Sequence, residues 1–313
     1  MYLHLQKEQF IDLINSIKMN TNIPDDLLEK DYYVCLVLRE LAKNQDYLKA
    51  YFKGGTALYK MIDNMNRFSE DIDLTVEVIE GNSKTSNKKR LEKSALGYEI
   101  EGLELQKDKC DQRMSKSITA FYKYNSAFEG ADIPLHKAGE VQVEATSFTV
   151  SEPTEICIVE PLIYKFASEQ EKSILEKEFN IGKFKIITQK LERIFIDKLF
   201  ASQLYFAKSE YVDLAKHLYD ITILMRQDKI QKLFENKGEF NQIVGYKRKE
   251  ETFRYGGVDE KIAIKDFGYF NMEYNEEFLK DFNYMQDKYI YNSEYRISVD
   301  EVKEALNQIQ RKV

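Results

Sequence analysis

FKGGTALYKMIDNMNRFSEDIDL, residues 52–74, decides how this chain reads. Two glycines, Gly54 and Gly55, close a short aromatic stretch of strand character, LKAYFK. A short helix is expected to start near Thr56. Paired glycines let the backbone approach a bulky anion, and a helix start aims free amide groups and the positive end of its dipole at the same place. A glycine turn before a helix is by itself more often structural than functional. The following segment, DIDLTVEV at 71–78, alternates polar and apolar residues. The alternation predicts a strand with Ile72, Leu74, Val76 and Val78 inward and Asp71, Asp73, Thr75 and Glu77 on the other face. Two carboxylates on one strand face suit a hard divalent cation. An isolated Asp-x-Asp is usually surface decoration, but here the opposite face is continuously apolar and a glycine turn precedes it within about twenty residues.

Working outward, Pro24 and the acidic pair behind it start a helix that runs to about Asn44, with Leu27, Leu28, Val34, Leu36, Val37 and Leu38 near helical spacing. Lys84 to about Leu105 reads as helix. SKSITAFYKYNS and EVQVEATSFTV read as strands. Beyond Pro161 the character is helical apart from KFKIIT, most clearly in LERIFIDKLFASQLYFA and DLAKHLYDITILM. Strands mixed with helices followed by helices alone give an α+β class. The boundary is placed between Pro153 and Pro161, giving a sheet-containing domain at 1–155 and a mainly helical domain at 156–313.

The 313 residues suffice for one large domain or two packed ones. Hydrophobic residues at 43% and charged residues at 32% describe a globular chain rather than a disordered or membrane one. A net charge of -7 argues against general coating of nucleic acid, while leaving room for local patches. Two basic stretches stand out. Lys88-Lys89-Arg90 reads mainly as a solvated helix face, and the run through Lys183, Lys185, Lys190, Arg193 and Lys198 is evenly balanced between such a face and a binding patch. Cys35, Cys110 and Cys157 lie far apart without CxxC spacing and are expected to be buried thiols, with neither a disulfide framework nor a zinc site. The amphipathic start MYLHLQKEQFIDLINSIK gives no secretion signal, and no apolar run is long enough to span a bilayer, so a cytoplasmic protein is expected.

The order GGTAL, then RFSEDIDL, resembles the nucleotidyltransferase motif of the AbiEii/AbiGii (MenT-like) toxin family, within the polymerase-beta-like superfamily. Glu29-Lys30-Asp31-Tyr32 is similar to that family's EKDYY segment. Asp197-Lys198-Leu199 is similar to its lysine motif, and Lys216-His217-Leu218-Tyr219-Asp220 to its R-[DH]-x-x-D motif. A weaker echo lies at Lys249 to Arg254. The likeness runs from about Pro24 to at least Asp220. One departure is Lys216, where the family usually has Arg. Such a change loses bidentate contacts and leaves the role of this position open.

The resemblance implies a nucleotidyltransferase fold, a small mixed sheet flanked by helices, followed by a helical domain contributing Lys198 and Asp220. It implies a toxin of a toxin–antitoxin system that uses Mg²⁺ or Mn²⁺ to move a nucleoside monophosphate from an NTP to RNA, foremost the 3′ end of tRNA. A cognate antitoxin is the expected partner. Asp71 and Asp73 would bind metal, and Gly54, Gly55 and Thr56 would contact the nucleotide phosphates. Lys198 would neutralise the triphosphate. Asp220 would orient Lys198 or the nucleophile, or else serve as an interhelical salt-bridge partner. Lys53 and Arg67 flank the motif and either touch phosphate or form structural ion pairs. Glu144, opposite in parity to Val141, Val143 and Ala145, is the candidate for a third metal carboxylate. Ser69 shares parity with the aspartates. It either caps the turn or is a modification site through which a kinase-like antitoxin silences the enzyme, as in some family members. His217 is expected to pack or hydrogen-bond rather than bind metal. Two other functions stay open: nucleotidylation of a protein hydroxyl, and a non-catalytic partner-binding module.

Overall fold

A long helix that is buried on almost every side opens the architecture. The computed structural model describes residues 1–63, 65–113, 116–128, 139–254 and 256–313. After α1 (Lys7–Thr21), α2 spans Asp25–Leu48. It continues past Asn44 because Gln45 is buried and spends its amide on the neighbouring chain, donating to Ala50 O at 2.9 Å and to Ile187 O at 2.8 Å. Lys49, in a left-handed conformation with φ 49°, ends it.

Next come β1 (Ala50–Lys53), α3 (Gly54–Met61), β2 (Ile72–Val76), α4 (Lys84–Leu96) and β3 (Leu103–Leu105). Two expectations are corrected here. The helix after the glycine turn begins at Gly54 itself, and the helix from Lys84 stops at Leu96, leaving Leu103–Leu105 as a strand paired with β5. The sheet continues with β4 (Asp111–Arg113), β5 (Ser117–Tyr124), β6 (Glu140–Thr146) and β7 (Thr154–Val159). α5 (Leu162–Lys165) and α6 (Glu169–Phe179) lead to β8 (Phe184–Gln189). The helices α7 (Leu191–Ala207), α8 (Tyr211–Leu224), α9 (Asp228–Glu235), α10 (Lys237–Glu251), α11 (Glu276–Tyr289) and α12 (Val299–Lys312) complete the chain.

Among the described residues, eight strands form one mixed sheet in the order β3-β5-β6-β2-β1-β8-β7, with β4 added beside β5. Phe52, Ile72, Leu74, Val143, Ala145, Ile118 and Ala120 alternate onto one buried face. α2 packs against β1 and β6, and α4 against β5, β6 and β2. β2 ends at Val76, so Val78, expected inward, is 53% exposed. Thr75 also departs from its expected open face: it is fully buried and shares a 2.8 Å hydrogen bond with Thr149 Oγ1. Cys35 and Cys157 are buried as expected, whereas Cys110 is half-buried.

The chain divides into two compact units, one of Met1–Asp63 with Ser69–Thr188, the other of Asn64–Phe68 with Gln189–Val313. The first unit extends beyond 155 because β7 and β8 belong to its sheet, β8 pairing in parallel with β1 through Phe52 and Thr188. The second unit is built on α7 packed against α8, with α11 and α12 against α8 and α9 and α10 against α7.

Candidate active site

In the first unit the strand register brings the candidate residues together. Lys53 on β1 pairs with Asp73 on β2, Asp73 with Glu144 on β6, and Glu144 with Thr119 on β5. Cross-strand partners share a face, so these four side chains form one row about 4.8 Å from strand to strand. The opposite face is the apolar core, so alternation in the sequence places Asp73 and Glu144 each on the open face of its strand, and the parallel pairing of β2 with β6 sets them side by side. Asp71 precedes the strand and is exposed.

The glycine turn reaches the same row. Gly54 has φ +79°, a conformation that side-chain-bearing residues rarely adopt. A Cβ built on it would fall 2.9 Å from Asp73 Cγ and closer still to Oδ2. The Asp73 carboxylate therefore lies directly over the backbone of the turn. The residue before the helix, Lys53, makes no side-chain capping bond to the first turn of α3. The Thr56 hydroxyl is turned inward: it lies 2.5 Å from Asp71 O and 3.0 Å from Ser69 Oγ, and so fastens the 69–71 loop to α3. Lys53 extends toward Thr146, its Nζ donating to Oγ1 at 3.3 Å.

In the same unit, α2 carries a group of charges that local sequence gave little reason to bury. Glu29, Lys30 and Asp31 on α2 are all at most 4% exposed. Glu29 accepts from the Ala127 amide at 2.7 Å and from the Ser126 hydroxyl. Lys30 donates to Glu140 O and pairs with Glu70 at 3.1 Å, anchoring the residue next to Asp71. Asp31 pairs with Lys60 and accepts from the Leu162 amide at 2.7 Å.

In the second unit, Asp220 on α8 is fully buried and its carboxylate is saturated. Arg67 binds it with both arms, Nε to Oδ1 at 2.7 Å and Nη2 to Oδ2 at 2.8 Å, and Lys198 on α7 adds a third contact at 2.7 Å. Burial alone would raise this carboxyl, but Arg67 and Lys198 outweigh it and hold the pKa at about 2. Of the two expectations for Arg67, the ion pair is the geometry observed. His217 stacks on Tyr205 with ring centroids 5.1 Å apart, and its Nδ1 has no hydrogen-bond partner among the described residues. Burial first, then the nearby Lys198 charge, pushes the imidazole well below its ordinary range, so it is neutral at pH 7. Lys216 does not join Asp220. It pairs with Asp213 at 2.9 Å and lies 4.4 Å from the Tyr289 ring centroid.

The second basic stretch separates into unlike parts. Arg193 is fully buried and pairs with Asp197 at 3.2 Å and with Glu250; Lys247 closes this network at 3.5 Å from both carboxylates and also pairs with Glu251 at 2.9 Å. Arg193 and Lys198 are thus internal ion-pair partners, while Lys183 and Lys185 remain exposed. The structural role of the Lys249–Arg254 neighbourhood, through Glu250 and Glu251, had no signal beyond the weak family echo.

A row of carboxylates facing a glycine turn at a helix start is the apparatus of phosphate chemistry, and comparison with known proteins agrees on the class. The family model described as "Nucleotidyl transferase AbiEii toxin, Type IV TA system" matches residues 36–307. The chain therefore belongs to the AbiEii family, a nucleotidyltransferase toxin family of type IV toxin–antitoxin systems. Among solved structures, the nucleotidyltransferase toxin MenT4 from Mycobacterium tuberculosis H37Rv is similar at 15% identity and a TM-score of 0.46, over 95% of this chain and 98% of that one. No curated protein matches. Among the described residues, no helix is long and apolar enough to cross a membrane.

Proposed function

We propose that this enzyme transfers the nucleoside monophosphate of an NTP to an RNA acceptor, the 3′ end of tRNA being the first to test, with Mg²⁺ or Mn²⁺ held by Asp71 and Asp73. The observation that carries this reading is the Asp73 carboxylate lying over Gly54, in register with Glu144. Among the described residues no group of three or more His, Cys, Asp or Glu stands close enough to hold an ion alone. The donor set nonetheless fits Mg²⁺, which is commonly held by one or two carboxylates with its remaining positions left to water and substrate phosphates. Such an ion, when bound, supplies positive charge to the transferring phosphate and orients its oxygens.

Each residue then has a task. The amides of Gly54, Gly55 and Thr56 receive phosphate oxygens, and Lys53 offers a further cation beside Asp73. Glu144 is the third carboxylate, suited by its register to orient the attacking hydroxyl. Lys198 neutralises charge on the triphosphate. Asp220, with its oxygens taken by Arg67 and Lys198, positions Lys198 rather than the nucleophile. Ser69, half-buried beside Thr56 and two residues from Asp71, is where an added phosphate or nucleotide would set negative charge against the carboxylates. The antitoxin is the natural source of such control, and the cytoplasm the compartment. Mass spectrometry of the co-expressed pair checks it: an unmodified Ser69 in an inactive complex removes this role.

Incubating the purified chain with Mg²⁺, each labelled NTP in turn, and total RNA or total protein tests the reaction. Label is expected in RNA and lost on chelation or in Asp71→Ala. Label in protein alone would transfer the chemistry to a protein hydroxyl. A fully toxic Asp71→Ala variant would overturn the mechanism.

A further inference from the structure

Arg39 on α2 is half-buried, its guanidinium 5.1 Å from the centroid of the Phe184 ring, and Nη2 donates to Gly182 O at 2.8 Å. Among the described residues no carboxylate lies within ion-pair distance of it. It lines an open cleft of about 620 Å³ together with Lys43, Lys183, Lys185, Tyr164 and Glu176. The Glu176 carboxylate is already engaged by the Tyr164 hydroxyl. Lys43 pairs with Glu40 and Lys183 with Glu160 at 3.3 Å, each an exposed lysine on a half-buried carboxylate at the surface, where such pairs contribute little. Lys185 has no ion-pair partner among the described residues. The result is a partly desolvated guanidinium facing a cleft where four cations, Arg39, Lys43, Lys183 and Lys185, outnumber the carboxylates Glu40, Glu160 and Glu176, none of which pairs with Arg39 directly. Burial accordingly lowers the Arg39 pKa, the direction of a cation short of compensation.

We infer that this cleft is a phosphate-binding site, with Arg39 as the fork that receives the phosphate and Lys43, Lys183 and Lys185 as surrounding point charges. It is separate from the catalytic turn. Thr188 pairs with Phe52, at the end of β1 that leads into Gly54, whereas Phe184 stands four residues earlier, roughly 13 Å back along β8. The inference therefore does not depend on the nucleotidyl-transfer reading. Phosphate could come from an RNA backbone or from a free nucleotide. The backbone is favoured because Arg39 already covers one face of the Phe184 ring, so the cleft offers charge rather than a free stacking platform for a base.

The test is binding without turnover, on the full-length chain in EDTA, read by anisotropy of a labelled single-stranded RNA and by calorimetric titration of inorganic phosphate and ATP. Lys183→Glu/Lys185→Glu changes exposed residues and leaves the core intact; Arg39→Ala tests the fork. Lys88→Glu/Lys89→Glu, an equal change of charge elsewhere, is the control. RNA affinity is expected to fall at least about tenfold in the first two variants, with the log K against log salt slope smaller by about 2 in the double variant, and to hold in the control. Loss of phosphate or ATP binding with RNA binding intact keeps the site and assigns it to free nucleotides. An equal loss in the control, or no loss of any probe, overturns it.

Discussion

Gly54→Ala perturbs the site at its tightest point. The new Cβ would stand 2.9 Å from Asp73 Cγ and 3.0 Å from Asp73 Cβ, where ordinary contact needs 3.4–4 Å. Asp73 sits on a strand paired on both sides, so its backbone has little room to retreat and the carboxylate must move away by roughly 1 Å. Displacement on that scale costs about 10²-fold in rate where alignment matters. The left-handed φ adds about 1–2 kcal/mol of backbone strain that alanine, unlike glycine, must bear. Initial rates of nucleotide transfer at saturating NTP and metal should therefore fall about a hundredfold, and urea unfolding should show a loss of about 1–3 kcal/mol. Gly245→Ala is the matching control. That glycine lies inside α10 with nothing within 4 Å of the added methyl, so the change should leave activity intact and raise stability by up to about 1 kcal/mol. A Gly54→Ala enzyme that turns over at the parent rate would show that the turn and the Asp73 carboxylate do not work together.

Asp73→Asn should abolish transfer while changing the urea midpoint little, since the side chain is half-buried on the open face of the sheet; a large loss of stability instead would make Asp73 structural. Asp220→Asn should be the reverse in kind, destabilising by about 3–5 kcal/mol because Arg67 and Lys198 would be left buried with their charge unmatched; chemical denaturation reads it, and a loss below 1 kcal/mol counts against the buried triad. The depression of the Asp220 carboxyl from 3.8 to about 2 makes a stabilising contribution of order 2–3 kcal/mol that is present above pH 4 and lost as pH falls toward 2. Unfolding free energies measured from pH 5 to 2.5 should decline less steeply in Asp220→Asn than in the parent, and parallel slopes would contradict the assignment. Lys30→Met should raise the metal concentration needed for half-maximal rate, through release of Glu70 beside Asp71, whereas a variant with an unchanged metal requirement would confine Lys30 to structure.

The residues that could be placed from the sequence are those whose faces are set by parity. Asp73 and Glu144 each stand on an alternating strand with an unbroken apolar side, and a period of two leaves no choice of face. α7 was legible for a similar reason, since LERIFIDKLFASQLYFA is apolar enough to be buried whatever it packs against. Parity failed where a strand ended or tertiary contact intervened. Val78 has the right spacing but lies beyond the last ladder bond, and Thr75 has a polar side chain yet finds Thr149 in the interior. β7 went unrecognised because its outward residues, Ile156 and Ile158, are as apolar as its inward Cys157 and Val159, so no contrast marks a strand with one wet face.

Charges are the harder case, and the reason is distance along the chain. Arg67 meets Asp220 across 153 residues, and Glu29 meets Ala127 across 98. Nothing near Arg67 distinguishes a residue that will bind phosphate from one that will neutralise a carboxylate on α8, because both tasks require the same guanidinium. The same ambiguity, resolved the other way, makes Arg39 informative. Arg67 and Arg193 have their carboxylates inside the fold, so their charge is explained without a ligand. Arg39 pays part of the same desolvation cost with no carboxylate at ion-pair distance among the described residues, and a cation held in that condition points to a counter-ion supplied from outside the chain.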